Sequence, residues 1–347
     1  VTQPDCILAI ESSCDETACA VVQQGSRVLS SAVASQMEVH ARFGGVVPEL
    51  ASRAHIEAIN NVIDQALSQS GRSPADFAAV AVTHEPGLIG SLLVGLMAAK
   101  TLAWVWDKPL IGVNHVYAHA YSAALDAEPI EYPAAALICS GGHTALYECR
   151  SPVDLVLLGT TIDDAAGEAF DKVASILGLG FPGGPAVDKA ARAGDPKAIR
   201  FPRTLLQGQS LDFSFSGIKT AVLYHVKGVP GPRAPAPPPP LSQAQVADVA
   251  ASFQAAVVDV LRIKLRRAAR AIDARTLVLG GGVAANSALR ATLTELAASL
   301  RCPLRMPPLK YCVDNAAMVG GVAWHYLLRG SKMLSDLDLD ARATVRR

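Results

Sequence analysis

The chain has 347 residues, 31 Lys+Arg against 31 Asp+Glu, and 50% hydrophobic residues. That length fits two domains of ordinary size, and the apolar fraction excludes a disordered chain. Zero formal net charge excludes a strongly basic protein that coats nucleic acid, though not a local basic patch, and 5% aromatics argue against a stacking platform for single strands.

Residues 6–10, Cys-Ile-Leu-Ala-Ile, and 18–23 read as the strands of a hairpin whose tip, 11–17, is acidic and rich in hydroxyls. Residues 48–70 have helical periodicity, with Ile56, Ile59, Val62, Ile63 and Leu67 on one side. A strand over 78–82 follows. Residues 87–106 imitate a membrane span, but Lys100 interrupts them and Asp107 and Lys108 close them, so a core helix lying against a sheet is expected and no membrane partner. A short strand, 109–113, then leads to a helix starting near Asn114, a favourable N-cap.

A second round opens at 134. Residues 134–139 and 144–149 read as strands around a tight Ser140-Gly-Gly-His143 turn, with helices near 164–177 and 185–193. Residues 229–240 hold seven prolines and read as an exposed polyproline-like loop. Ser242 and Gln245 suggest a capping box opening a long helix, with Val246, Val249, Phe253, Val257, Val260 and Leu265 on its buried face. A strand over 275–279 runs into Gly280-Gly-Gly282, a helix starts near 284, and a last helix covers 315–328. Both halves start with a hairpin and continue into alternating helices and strands. The expectation is an α/β protein of two duplicated domains, 1–113 and 114–330, around a central cleft, with 331–347 as a C-terminal tail.

The seven cysteines are odd in number and lack Cys-x-x-Cys spacing. Reduced thiols in a cytoplasmic protein are the expectation, as is the absence of a secretory leader, since the start carries Asp5 and Glu11 and no basic stretch. Four constellations could carry chemistry. His115 and His119 stand at i and i+4, a spacing that can hold one metal ion and equally fits two unrelated helix histidines. Position 116 is Val, which argues against the His-Glu zinc protease design. Glycine turns at 140–143, 182–185 and 280–282 could bring backbone amides to a phosphate, although none matches a Walker or dinucleotide pattern. Acids cluster at Asp15 and Glu16, at Asp163, Asp164, Glu168 and Asp171, at Asp188, and at Asp314, which could be an N-cap, a metal ligand or both. Arg262, Lys264, Arg266, Arg267 and Arg270 make a basic helix surface, either solvated or set against a phosphate backbone. A sugar kinase, a metalloprotease and a nucleotide-driven clamp all remain open on these features alone.

Read together, IESSCDET (10–17), GGVVPELASRAH (44–55), NHVYAH (114–119), CSGGHT (139–144), DDAAGEAFDK (163–172), PGGP (182–185), DFSFSGIKT (212–220), GGGVAAN (280–286) and DNAAM (314–318) resemble the TsaD family. These are the tRNA threonylcarbamoyl-adenosine transferases once called glycoproteases, and the resemblance runs from about residue 6 to 330. It implies an actin/Hsp70/sugar-kinase-like (ASKHA) fold. It also implies transfer of a threonylcarbamoyl group from threonylcarbamoyl-AMP to N6 of adenosine 37 in tRNAs reading codons that begin with A, releasing AMP. By motif match His115, His119 and Asp314 would hold one divalent metal ion, Fe2+ before Zn2+. Cys139, Ser140, Gly141, Gly142, His143, Asp171, Gly184, Asp188 and Asn286 would hold the adenylate, and Asp15 and Glu16 would be catalytic. TsaB-like and TsaE-like proteins are the implied partners. Three positions depart from many relatives: Glu85 where they carry Gly, and Tyr117-Ala118 where they carry Glu-Gly.

Overall fold

The structure, a computed structural model, describes residues 4–230, 238–330, 334–335 and 337–344. Most of the proline-rich loop, 231–237, lies outside the described residues. In chain order, β1 (Cys6–Glu11) and β2 (Glu16–Gln23) form the expected hairpin, with Ile10 opposite Cys19, and β3 (Arg27–Ser35) adds an outer strand. Next come α1 (Met37–Ala41), α2 (Pro48–Ser70), β4 (Phe77–Glu85), α3 (Ile89–Val105), β5 (Leu110–Asn114) and α4 (His115–Tyr121). The second round is β6 (Ala134–Cys139), β7 (Thr144–Ser151), β8 (Asp154–Thr160), α5 (Ala166–Leu177), α6 (Gly183–Ala191), α7 (Ser216–Lys227), α8 (Gln243–Ala271), β9 (Thr276–Gly280), α9 (Ser287–Leu300) and β10 (Leu304–Arg305). The chain closes with α10 (Ala316–Leu328) and β11 (Leu334–Ser335).

The first sheet runs β11-β5-β4-β1-β2-β3 and the second β10-β9-β6-β7-β8. Apart from β11, the two orders match strand for strand. In each, the hairpin supplies the antiparallel half, and strands parallel to its first member supply the other half. The duplication expected from the order of elements is therefore present in the sheets.

Residues 6–10 of β1 are an unbroken apolar run because both faces of the sheet are covered there. Ile7 and Ala9 enter a core with Met318, Val319 and Val322 of α10, whereas Cys6, Leu8 and Ile10 enter another with Ile59 and Val62 of α2 and Leu96 and Ala99 of α3. The compact units divide the chain differently from the boundary expected at 113/114. The first takes Val1–Ile130, Ser151–Leu155 and Met306–Arg347, and the second Glu131–Arg150 and Val156–Arg305, described residues only. The physical reason is α10. Its apolar side chains close the open face of the first sheet, so the end of the chain belongs with its beginning. Nor is the region after 330 a free tail. β11 pairs with β5, Leu339 and Ala341 pack on the first unit's core, and Arg342 N–H donates to His84 O at 2.8 Å.

α3 buries less than expected. Leu92, Leu96, Ala99 and Ala103 face the sheet, while Ile89, Leu93, Met97, Trp104 and Val105 face solvent. No helix among the described residues is long and apolar enough to cross a membrane.

Candidate metal centre

The site grows out of three element ends in the first unit: the β1–β2 tip, the start of α4 and the start of α10. Asn114 Oδ1 accepts from Val116 N at 2.9 Å and Tyr117 N at 3.3 Å, which starts α4 at His115. His115 and His119 then lie one turn apart, with ring centroids at 4.5 Å and planes at 79°. Asp314 lies just before α10. Of the roles left open for it, capping falls to its neighbour: Asn315 Oδ1 accepts from Met318 N at 3.0 Å. The Asp314 carboxylate instead reaches the histidines, with Oδ1 at 3.0 Å from His119 Nε2 and 3.5 Å from His115 Nε2. One donor atom from each of the three residues falls within 4.8 Å of the others.

His119 is 1% exposed and, among the described residues, neither ring nitrogen makes a hydrogen bond. A buried imidazole normally costs stability unless it is bonded. Here Nε2 stands beside a carboxylate oxygen without hydrogen-bond geometry, as a ligand does when it is aimed at a shared point and not at its neighbour. Two imidazoles and one carboxylate are a fitting donor set for iron or zinc.

His115 is held from behind. Its Nδ1 lies 3.0 Å from Glu11 Oε2 and 3.2 Å from Ser13 Oγ. Glu11 is fully buried; it also accepts from Thr83 Oγ1 at 2.5 Å and Ser13 N at 2.6 Å. Burial works against its charge, but the His115 ring outweighs that and keeps the carboxyl below its usual range. Burial likewise opposes the charged form of His115, yet Asp314 and Glu11 push its pKa up to about 9.

The hairpin tip carries Asp15 and Glu16. It is fixed by His55 of α2, whose Nε2–H donates to Cys14 O at 3.1 Å and whose Nδ1 accepts from Thr17 Oγ1 at 2.7 Å. The carbonyl can only accept, so this assignment is forced for a neutral ring, and burial keeps His55 below its ordinary pKa. On the other side Gly95 N–H donates to Ser12 Oγ at 3.1 Å. A Cβ at Gly95 would stand 2.3 Å from that oxygen, so α3 needs glycine there for the tip to approach. Donor oxygens of Asp15, Glu16 and Asp314 fall within 4.8 Å of one another. Burial, Asp314 and Asp15 push the Glu16 carboxyl up to about 10. A divalent cation among these acids would remove much of that repulsion.

The remaining candidates lie in the second unit. Cys139 ends β6, and the turn after it closes with Ser140 N–H donating to His143 O at 2.8 Å and His143 N–H to Ser140 Oγ at 3.2 Å. A Cβ at Gly141, Gly142 or Gly184 would meet nothing within 4 Å, and none has positive φ, so internal packing does not demand glycine at these points. Asp171 Oδ1 accepts from Gly183 N at 2.7 Å at the start of α6. Asp188 accepts from Ser287 Oγ at 2.7 Å and Arg192 at 3.1 Å. Asn286 caps α9 through Leu289 N at 2.9 Å and donates to Gln254 Oε1 at 2.7 Å. Gly281, at φ +85°, packs directly on Cys139, which brings the third glycine turn beside the first.

The basic helix surface is largely structural. Lys264 is buried and donates to Ser210 O at 3.0 Å, Arg267 donates to Leu206 O at 2.7 Å, and Arg262 lies 3.8 Å from Asp259. Glu85 accepts from Asn114 Nδ2 at 3.3 Å and faces Arg342 at 3.5 Å, so it steadies the residue that caps α4. Sequence reasoning assigned no role to Glu11, His55 or Thr83. The available signal was a lone acid ending an otherwise apolar strand.

The family model for TsaD, described as tRNA N6-adenosine threonylcarbamoyltransferase, matches residues 27–321. The chain belongs to the TsaD family. The tRNA N6-adenosine threonylcarbamoyltransferase of Anaeromyxobacter dehalogenans is 52% identical over 335 residues, covering 96% of this chain and 98% of that protein. That of Thermomicrobium roseum is 52% identical over 356 residues, covering 97% and 95%. Among solved structures, HypF from T. kodakarensis aligns with a TM-score of 0.62 at 14% identity, over 96% of this chain and 49% of that one. The activator of the 2-hydroxyisocaproyl-CoA dehydratase from Clostridium difficile aligns with a TM-score of 0.52 at 13% identity, over 95% and 98%. At such identities these structures show the fold alone, and it is the ASKHA architecture that the paired sheets display. As a TsaD-family protein the chain is an acyltransferase, and its substrate is tRNA.

Proposed function

We propose that this chain transfers the threonylcarbamoyl group of threonylcarbamoyl-AMP to N6 of adenosine 37, with His115, His119 and Asp314 holding one divalent cation, Fe2+ or Zn2+. The observation that carries the reading is the buried, unbonded His119 Nε2 at 3.0 Å from Asp314 Oδ1, with His115 Nε2 facing the same oxygen. When bound, the cation supplies Lewis-acid polarisation and a template for donor oxygens.

The chain's own residues do the rest. The donor is a mixed anhydride, so AMP is already a good leaving group. The attacking exocyclic amine is weak and must be aimed at the carbamoyl carbon. As its N–C bond forms, the C–O bond to the phosphate breaks and AMP leaves with the electron pair, while the amine proton passes to a carboxylate. Asp15 and Glu16 are the candidates for orienting the amine and taking that proton, held on a tip that His55, Gly95 and Leu88 brace. Cys139, Ser140, Gly141, Gly142, His143, Asp171, Gly184, Asp188 and Asn286 would hold the adenylate; glycines that internal packing does not require support close approach of a phosphate. TsaB-like and TsaE-like proteins are the proposed partners, and the solvent-facing apolar stripe of α3 supports a protein partner.

The test is direct. The chain is incubated with threonylcarbamoyl-AMP and unmodified tRNA, with and without such partners, and the digested nucleosides are read by mass spectrometry. Threonylcarbamoyl-adenosine at position 37 is expected; its absence under every condition sinks the reading.

A further inference from the structure

We propose that Glu11 is a positioning residue of the ion site: its carboxylate holds the Nδ1–H of His115, so that Nε2 is the nitrogen left bare for the cation. The inference rests on the metal reading of His115, His119 and Asp314.

Glu11 ends β1 and is 0% exposed. A carboxylate buried so completely is stable only if its oxygens are well supplied with donors. Among the described residues no Lys or Arg pairs with it, and its ion-pair partner is His115. Oε1 accepts from Ser13 N at 2.6 Å, and Oε2 from Thr83 Oγ1 at 2.5 Å and His115 Nδ1 at 3.0 Å. The last contact is favourable only when Nδ1 carries the proton. That proton removes Nδ1 from ligation and leaves Nε2, on the Asp314 side of the ring, to meet a metal. Among the described residues neither His119 nitrogen makes a hydrogen bond, although Nε2 faces Asp314 Oδ1 at 3.0 Å. The two ligands are therefore oriented by different means: His115 by a hydrogen bond, His119 by packing in α4.

A glutamine cannot take over. With its oxygen at the Oε2 position, its amide hydrogens oppose Ser13 N–H; reversed, the amide donates toward Nδ1 and drives His115 to the tautomer whose Nε2 is blocked. Glu11→Gln should therefore weaken zinc binding by about 10–100-fold in competition with a chelator. Thr83→Val, which removes one donor but keeps the carboxylate, should weaken it less. A purely structural role would not move the second readout, the histidine 15N spectrum of the zinc-loaded protein. Wild type should show His115 with a protonated Nδ1 and zinc at Nε2, and Glu11→Gln should lose that pattern. Zinc affinity of Glu11→Gln equal to wild type, or wild-type zinc at Nδ1, overturns the proposal. If circular dichroism shows that Glu11→Gln does not fold, the wild-type spectrum decides alone. If wild type binds no zinc, the metal reading has failed and takes this inference with it, a result distinct from equal binding by wild type and variant.

Discussion

Asp314 answers to two neighbourhoods at once. It faces the Nε2 atoms of His115 and His119, and it shares a 4.8 Å cluster with Asp15 and Glu16. Without a cation, three acids at that spacing repel, and the shift of Glu16 to about 10, set first by burial and then by Asp314 and Asp15, includes that repulsion. Asp314→Asn removes that repulsion together with the attraction to His115, so the metal-free variant should melt close to wild type, although it loses a proposed ligand. Added zinc should raise the melting temperature of wild type and not of the variant, because only a cation bound to the native state stabilises it. A variant that melts far below wild type without metal would contradict this. Asp15→Ala and Glu16→Ala separate in the opposite way. Both should keep donor binding, measured by equilibrium titration, and lower single-turnover transfer by about 10²–10⁴-fold for whichever residue moves the proton. Wild-type rates in both would end their catalytic assignment.

At the scale of elements, α7 shows what a sequence conceals. The residue before it, Phe215, offers no side-chain cap. The helix start is instead held from Asp163, which accepts from Phe215 N at 2.8 Å, Ser216 N at 3.3 Å, Ser214 Oγ at 2.5 Å and Ser216 Oγ at 2.6 Å. A cap supplied from 52 positions away leaves no local signature of a helix over 216–227. β3 and β8 were missed for another reason. Each is the outermost strand of its sheet and partly exposed, so neither has the apolar run that marked β1 and β6. The capping box at Ser242 and the N-cap at Asn114 were legible because both ends of each bond lie within three residues. In the site, the i, i+4 pair was legible as helix geometry, but its meeting with Asp314 came through the family resemblance, since nothing local says that α10 returns to the first sheet. Burial works against the Asp163 charge, but its hydrogen bonds from Ser214, Ser216 and Phe215 hold the carboxyl below its ordinary value. A lowered folded pKa contributes stability above the unfolded value, about 3.9, and loses it as pH falls through the folded one. Asp163→Ala should thus cost about 0.5–2 kcal/mol in urea unfolding at neutral pH, with the gap narrowing below about pH 4. A gap that is constant down to low pH would show that the charge does not matter.

At the scale of the whole molecule, the apolar side of α3 is the feature the fold leaves unexplained. Scattered exposed apolar residues are ordinary, but Ile89, Leu93, Met97, Trp104 and Val105 share the solvent face of one helix, with Trp104 73% exposed and Ile56 open on the neighbouring α2. The face opposite it carries the contacts that hold α3 to the sheet, through Leu92, Leu96, Ala99 and Ala103. Function on the outer stripe can therefore be removed without touching the core. Met97→Glu with Trp104→Glu should leave the melting temperature close to wild type, because both side chains are already in water. The same pair should weaken association with the proposed TsaB-like partner by about 10–100-fold, measured by titration calorimetry, since large aromatics carry an outsized share of interface binding energy. Sustained turnover would fall with it, while the thermal stability of the free chain stays unchanged. Undiminished association in the double variant would remove this stripe from the partner surface and leave α3 with an apolar face for which the fold offers no use.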